Sequence, residues 1–224
     1  MDHHGFDQKW NRWAALSLMG GLVITIGGAV LVMILCPQPS WENQQTFVAA
    51  YHPLQSLIFV PSLALPLSII AVLVGFHSSA RPDAKPWTLL ALVWGAVGAT
   101  ILCINYLIQG VFVPSLIKQS SGLVGALVSA NPGSLFWTLE LFGYGIVGLA
   151  MWGAAPLFSG PGIDRIIRWL LVVNGVGSIL AGLGATVDSS WVLGPLGLGA
   201  VLVWNLLMIV LAALFLLRSR QEVG

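Results

Sequence analysis

Six long apolar runs follow one another along the chain, at residues 13–36, 51–76, 87–113, 133–158, 166–187 and 192–217. A helix needs about 20 apolar residues to cross a hydrocarbon layer about 30 Å thick, and each run supplies them. Backbone polar groups in lipid must be satisfied within their own segment, so each run predicts a helix. The pattern predicts one all-α domain, residues 1–224, built as a bundle of six transmembrane helices that we number spans 1–6.

The composition agrees with a membrane location. Of the 224 residues, 57% are hydrophobic and 8% are charged, whereas soluble domains carry about 25% charged residues. So few charges could not cover a water-soluble core of this size, and the lipid bilayer is therefore the expected solvent. Nine basic residues balance eight acidic ones without a basic run, a distribution that provides no electrostatic footprint for nucleic acid.

The basic residues predict the orientation of the chain in the membrane. Eight of the nine occupy alternate segments, before span 1, between spans 2 and 3, between spans 4 and 5, and after span 6. These eight are Lys9, Arg12, Arg81, Lys85, Arg165, Arg168, Arg218 and Arg220. Because short cytoplasmic segments are enriched in lysine and arginine, both termini are predicted to be cytoplasmic.

Glu140 is the acidic residue placed most clearly inside an apolar run. If Asn131 caps span 4 and Pro132 is its first residue, Glu140 lies about 12 Å along the helix. Asn105 and Gln109 lie about 27–33 Å along span 3 from its cytoplasmic start at Trp87. The three side chains are therefore predicted to share one layer in the outer half of the membrane.

These polar residues form our candidate binding site. A charged carboxylate in lipid costs several kcal/mol, so Glu140 should face the bundle interior. Helical spacing pairs Asn105 with Gln109 and Glu140 with Tyr144, one turn apart, and two further polar residues open span 2 at the same level. The predicted ligand-binding residues are His52, Gln55, Asn105, Gln109, Glu140 and Tyr144. The alternative is a purely structural hydrogen-bonded knot between spans 3 and 4.

Neither a metal site nor a catalytic motif is evident. Cys36 and Cys103 have no CxxC spacing and no neighbouring histidine pair, so the sequence does not predict a metal site. No motif identifies a cofactor or catalytic residues. Pro61 and Pro66 lie inside the second run, where each removes a helix hydrogen bond, and a kink in span 2 is therefore expected.

A resemblance extends over spans 3 and 4. It is carried by Asn105-Tyr106, Gln109, Pro114-Ser115, Asn131-Pro132, Phe136-Trp137, Glu140 and Gly143-Tyr144. With these residues the chain resembles a family of small six-span bacterial membrane proteins whose function is not established. The resemblance implies a multi-pass protein of the bacterial inner membrane with this polar patch, and it implies no reaction.

Three functions are compatible with these features. The first is binding or permeation of a small or lipid-like ligand through the pocket around Glu140, or passage of protons. The second is an accessory role, in which the spans pack against other membrane subunits. The third is a membrane-embedded enzyme that uses Glu140 as acid or base with His52 as its partner, although no electrophile, metal or cofactor site supports it.

Overall fold

The computed structural model describes the backbone of residues 3–221 and the side chains of residues 12–219. The side chains of Lys9 and Arg220, used above for orientation, lie outside this range. Within the described residues the chain has no strand and has six helical segments long and apolar enough to cross a membrane. These spans 1–6 are Arg12–Leu35, Pro53–Ser78, Lys85–Lys118, Leu135–Leu157, Ile163–Val187 and Pro195–Ser219. The predicted six-helix bundle is confirmed.

Several spans consist of more than one helical piece. Span 1 belongs to helix His3–Leu35, span 5 is helix Ile163–Val187 and span 6 belongs to helix Pro195–Gln221. Span 2 consists of the 3-10 turn Pro53–Ile58 and helices Phe59–Ser62 and Ala64–Ser78. Span 3 consists of helix Lys85–Leu107, the π-helix Ile108–Phe112 and helix Val113–Lys118. Span 4 consists of helix Leu135–Ala154 and the 3-10 turn Ala155–Leu157. The loops add helices Gln44–Ala50 and Val124–Leu127 and the 3-10 turn Ser190–Leu193.

Span 2 is interrupted where the prolines predict a kink. Its helix breaks at Leu63, between Pro61 and Pro66. The hydroxyl of Thr25 in span 1 donates a hydrogen bond to the Pro61 carbonyl at 3.0 Å. A neighbouring span thus supports the backbone at the break, as expected for prolines in membrane helices.

The spans pack in chain order as a ring, each on the next, and span 6 closes the ring on span 1. Small residues make the close approaches possible. A methyl group built on Gly98 of span 3 would lie 2.8 Å from the backbone oxygen of Gly143 in span 4. One built on Gly148 of span 4 would lie 2.7 Å from the Gly175 oxygen in span 5. In a bilayer, the hydrophobic effect does not drive helices together, because lipid tails are as apolar as the helix surfaces. Close packing of this kind stabilises the association of the helices instead.

A hydrogen bond and an ion pair connect alternate segments at one end of the bundle. Arg81, between spans 2 and 3, donates to the Ser159 hydroxyl at 2.9 Å. Arg218, at the end of span 6, pairs with Asp164 at 2.7 Å, and its guanidinium lies 5.3 Å above the centre of the Phe158 ring. We call this the basic end; the loops between spans 1 and 2, 3 and 4, and 5 and 6 form the opposite end.

Aromatic rings fill the bundle at the basic end. The Phe76 ring lies 5.2 Å from Phe158 and 5.0 Å from Phe215, measured between ring centres, and the rings of Phe158 and Phe215 are 5.8 Å apart. Phe158 is 1% exposed. The interior is thus closed toward the basic end by side chains from spans 2 and 6 and from the segment that follows span 4.

Candidate functional site

Glu140 turns toward span 3 and is held there by two donors. The Asn105 amide donates to Glu140 Oε2 at 3.1 Å, and the Tyr106 hydroxyl donates to Oε1 at 2.7 Å. The same Asn105 amide also donates to the Phe136 carbonyl at 3.1 Å, which ties the two spans together. Asn105 is 1% exposed, whereas Glu140 is half-buried.

Tyr106 belongs to this cluster although it is absent from the predicted set. Its hydroxyl lies 3.3 Å from that of Tyr144, which places Tyr144 at the edge of the cluster, as predicted. The sequence does carry a signal for Tyr106, because its phenol directly follows Asn105 in a mostly apolar span. We refer to Asn105, Tyr106, Glu140 and Tyr144 as the Glu140 cluster.

Aromatic rings surround the cluster on two sides. Phe59 of span 2 lies 6.4 Å from the Tyr106 ring centre and 5.7 Å from that of Phe136. Trp204 of span 6 packs edge-on against Tyr144 at 4.8 Å. Side chains from spans 2, 3, 4 and 6 therefore meet here, so the carboxyl group lies in an aromatic interior.

Gln109 does not join the Glu140 cluster; it holds the loop between spans 3 and 4. It lies in the π-helical segment of span 3 and is 2% exposed. Its amide nitrogen donates to the Leu127 carbonyl at 2.6 Å, and its oxygen accepts from the Ser129 backbone N–H at 3.0 Å. Trp137 of span 4 donates to the Ser129 carbonyl at 2.8 Å. Three hydrogen bonds thus fasten this loop across the opposite end.

The side chains of His52 and Gln55 also form their hydrogen bonds away from the Glu140 cluster. The His52 ring accepts the Leu54 N–H at 3.3 Å, and the His52 N–H donates to Gln55 Oε1 at 3.0 Å, a capping box at the start of span 2. Gln55 donates in turn to the Pro37 carbonyl at 2.8 Å. Among the described residues neither side chain forms a hydrogen bond or ion pair with Glu140.

The start of span 4 differs from the expectation. Its helix begins at Leu135 with Ser134 as the N-cap residue, and Asn131 instead accepts the Gly133 N–H in the preceding turn at 3.1 Å. The condition that Asn131 caps the helix is therefore not met, because its side chain bonds to a nearer backbone group in a local turn. Glu140 therefore lies about 8 Å from the helix start rather than 12 Å.

Near the opposite end, burial raises the pKa of the Tyr51 phenol, while its hydrogen bond with Ser56 opposes that shift. In the loop between spans 5 and 6, the backbone N–H and the hydroxyl of Ser190 both donate to Asp188 and lower its pKa.

Over the described part of the chain, no three histidine, cysteine, aspartate or glutamate side chains lie close enough to hold a metal ion.

We expect Gln109→Leu to loosen the loop that crosses the opposite end. The variant leaves the Leu127 carbonyl and the Ser129 N–H without their partner, at about 1 kcal/mol for each hydrogen bond. The loop should therefore open about 30 times more often. Limited proteolysis of residues 119–134 measures this, because cleavage follows the population of the open form when opening is fast.

Gln119→Leu is the matched control, since Gln119 is exposed and, among the described residues, its side chain donates to the Ser115 hydroxyl in the helix that precedes it. It should leave cleavage of the loop unchanged. Equal cleavage rates for the Gln109 variant and the unchanged protein would show that the two amide bonds do not hold the loop.

The fold and the cluster define the class of the protein: an α-helical, multi-pass membrane protein with a carboxyl group held inside its bundle. No family model, curated protein or solved structure matches the chain.

Proposed function

We propose that the protein binds a small or lipid-like ligand at the Glu140 cluster, through a hydrogen-bond donor or cationic group of the ligand. The observation that carries this proposal is the carboxyl group of Glu140, directed into the bundle and fixed by Asn105 and Tyr106. Ionisable side chains inside membrane spans are rare because they are costly, and they generally serve a function.

The carboxylate retains capacity for a ligand. An ionised carboxylate offers about four acceptor positions, and among the described residues one donor reaches each oxygen of Glu140. Two positions therefore remain for an ammonium or hydroxyl group. Glu140 and Tyr144 are half-buried, whereas Asn105 is fully buried.

The surrounding rings suit the rest of such a ligand. Phe59 and Trp204 pack against the tyrosines of the cluster, and aromatic faces attract cations by about 0.5–2 kcal/mol while also accepting apolar chains. An amphipathic amine combines both requirements. The six predicted ligand-binding residues thus reduce, in this proposal, to Asn105, Glu140 and Tyr144 together with Tyr106, while Gln109, His52 and Gln55 support the opposite end.

We further propose a bacterial inner membrane location with both termini cytoplasmic. The hydrogen bond of Arg81 and the ion pair of Arg218 lie at the end of the bundle where the basic segments meet. An end rich in lysine and arginine normally faces the cytoplasm. The ligand would then enter from the opposite, outer end or from lipid. Permeation would additionally require the Phe76, Phe158 and Phe215 rings at the basic end to separate.

The enzyme alternative remains a prediction. It paired Glu140 with His52, and the described side chain of His52 instead caps the start of span 2. The accessory-subunit alternative remains a prediction, tested by whether purification in mild detergent recovers a partner in fixed ratio.

Binding of radiolabelled decylamine to the protein in lipid nanodiscs tests the proposal, with empty nanodiscs as the blank. We expect Glu140→Gln to weaken binding at least tenfold, because a hydrogen bond to a charged group contributes about 1.5–3 kcal/mol. Glutamine keeps the size of the side chain, and thermal melting verifies that the variant folds.

Glu42→Gln is the matched control, since Glu42 is an exposed acid in the loop between spans 1 and 2. It should bind decylamine like the unchanged protein. If Glu140→Gln binds decylamine as tightly as the control does, the carboxyl group is not the ligand's anchor and the proposal fails.

A further inference from the structure

Asn174, in the middle of span 5, is a buried amide with an unused donor. Its side chain is 2% exposed, and its Nδ2 atom has no acceptor among the described residues. A buried donor without a partner costs about 1–3 kcal/mol of stability. A leucine would pack there without that cost, so the amide indicates a polar occupant.

Asn174 is connected to the Glu140 cluster through spans 5 and 6. One turn away, the Ser178 hydroxyl donates to the backbone carbonyl of Asn174 at 2.9 Å and accepts the indole N–H of Trp204 at 2.9 Å. The Trp204 ring packs against Tyr144 at 4.8 Å, and Tyr144 contacts Tyr106. Side-chain contacts therefore lead from Glu140 inward to Ser178, one helical turn from Asn174.

The separation of the two groups follows from the packing of span 4 on span 5. Gly148 lies directly against Gly175, since a methyl group on Gly148 would approach the Gly175 oxygen to 2.7 Å. Asn174 is therefore level with Gly148. Gly148 lies eight positions after Glu140 in span 4, or about 12 Å along the helix at about 1.5 Å per residue.

We propose that Asn174 forms a second polar site, which binds a hydroxyl oxygen about 12 Å inward from Glu140. A hydroxyl both donates and accepts, so it satisfies either end of the amide. The oxygen comes from a bound water or from the far end of the ligand. Only the ligand source rests on the proposed function at Glu140.

The ligand source is tested with a pair of probes, decylamine and the aminodecanol that carries a hydroxyl at the opposite end of the same chain. In the unchanged protein the hydroxyl should tighten binding about three- to tenfold, the effect of one added hydrogen bond. That gain should vanish in Asn174→Leu and in the smaller Asn174→Ala, and persist in Asn205→Leu. The Asn205 amide bonds to its own helix at the Val201 carbonyl, so it serves as the control.

The water source is tested by melting the proteins without any probe. If Asn174 holds a water, Asn174→Leu should lower the melting midpoint by about 2–4 °C, since it removes a hydrogen bond of about 1 kcal/mol. Asn205→Leu should not lower it. Asn174→Ser, which supplies its own hydroxyl, should recover part of the loss.

Each result decides between the two sources or overturns the site. A lower midpoint that serine partly restores indicates water, and a probe difference confined to proteins with Asn174 indicates the ligand hydroxyl. The site is overturned if leucine leaves or raises the midpoint and the two probes bind equally. If decylamine fails to bind at all, the function proposed for Glu140 falls, and the melting comparison alone decides on Asn174.

Discussion

Gly98→Leu is expected to destabilise the folded bundle by about 3 kcal/mol or more. The first carbon of any side chain at this position would lie 2.8 Å from the Gly143 oxygen and 3.1 Å from the Val147 nitrogen. Both are backbone atoms of span 4, which cannot turn away as a flexible side chain could. Overpacking of this kind typically costs about 1–3 kcal/mol, and a whole leucine against backbone exceeds that range.

The same change should reach the Glu140 cluster. Spans 3 and 4 must separate to admit the side chain, and the bonds from Asn105 and Tyr106 to Glu140 cross that interface. Decylamine binding should therefore weaken together with stability. Unfolding in sodium dodecyl sulfate titrations measures the free energy, and nanodisc binding measures the site.

Gly177→Leu provides the control for this prediction. Gly177 lies on the exposed side of span 5, and nothing is within 4 Å of a methyl group built there. Leucine also favours the helix over glycine by roughly 0.5–1 kcal/mol. The control should be as stable as the unchanged protein or more so; equal stability of the two leucine variants would refute the close packing of spans 3 and 4.

Asn105→Leu should give the second large effect, a loss of about 1–3 kcal/mol in unfolding free energy. The Phe136 carbonyl and one Glu140 oxygen lose their donor, and of the described residues only Tyr106 still donates to the carboxyl group. Hydrogen bonds between membrane helices average about 0.6 kcal/mol and reach about 1.7, while those to charged groups are stronger. The Asn105 amide makes two such hydrogen bonds, and together they account for the expected loss of about 1–3 kcal/mol in unfolding free energy.

A double variant separates the two bonds of Asn105. An ionised Glu140 would accept a stronger hydrogen bond than glutamine does, so a smaller loss for Asn105→Leu in a Glu140→Gln background would show that the carboxyl group is ionised. Asn205→Leu again serves as the comparison, since it removes an asparagine bonded within its own helix. A loss for Asn105→Leu that matches this control would mean that Asn105 does not support the carboxyl group.

The number and approximate ends of the spans could be predicted because they depend on quantities local to the chain. Run length and apolar content decide whether a helix crosses a bilayer, and the two inner prolines of span 2 remove hydrogen bonds wherever that helix packs. The largest error in a span boundary is at the end of span 3, where 113 was predicted and the helical segment continues to Lys118. Its π-helical piece, Ile108–Phe112, carries no local pattern that distinguishes it from α-helix.

The polar site could be predicted only in part. Glu140 had to face the interior because of the cost of a charge in lipid, and Asn105 and Tyr144 follow from depth and helical spacing. Gln109 occupies the same face as Asn105, yet it extends to the loop at Leu127 and Ser129. An amide pairs equally well with a side chain or with backbone, so its partner depends on which segment folds over it.

By itself, the sequence determined a six-span helical membrane protein with one interior carboxyl group, since length, hydropathy and the cost of burying a charge operate on each segment separately. The tertiary structure decided which polar groups meet: Tyr106 joins Glu140, His52 and Gln55 cap span 2, and the Asn174 amide has no acceptor within the described part of the chain. The physical reason is that hydrogen bonds are short and directional, so partners are selected by the ring packing of the spans and by glycine contacts between residues far apart in the chain.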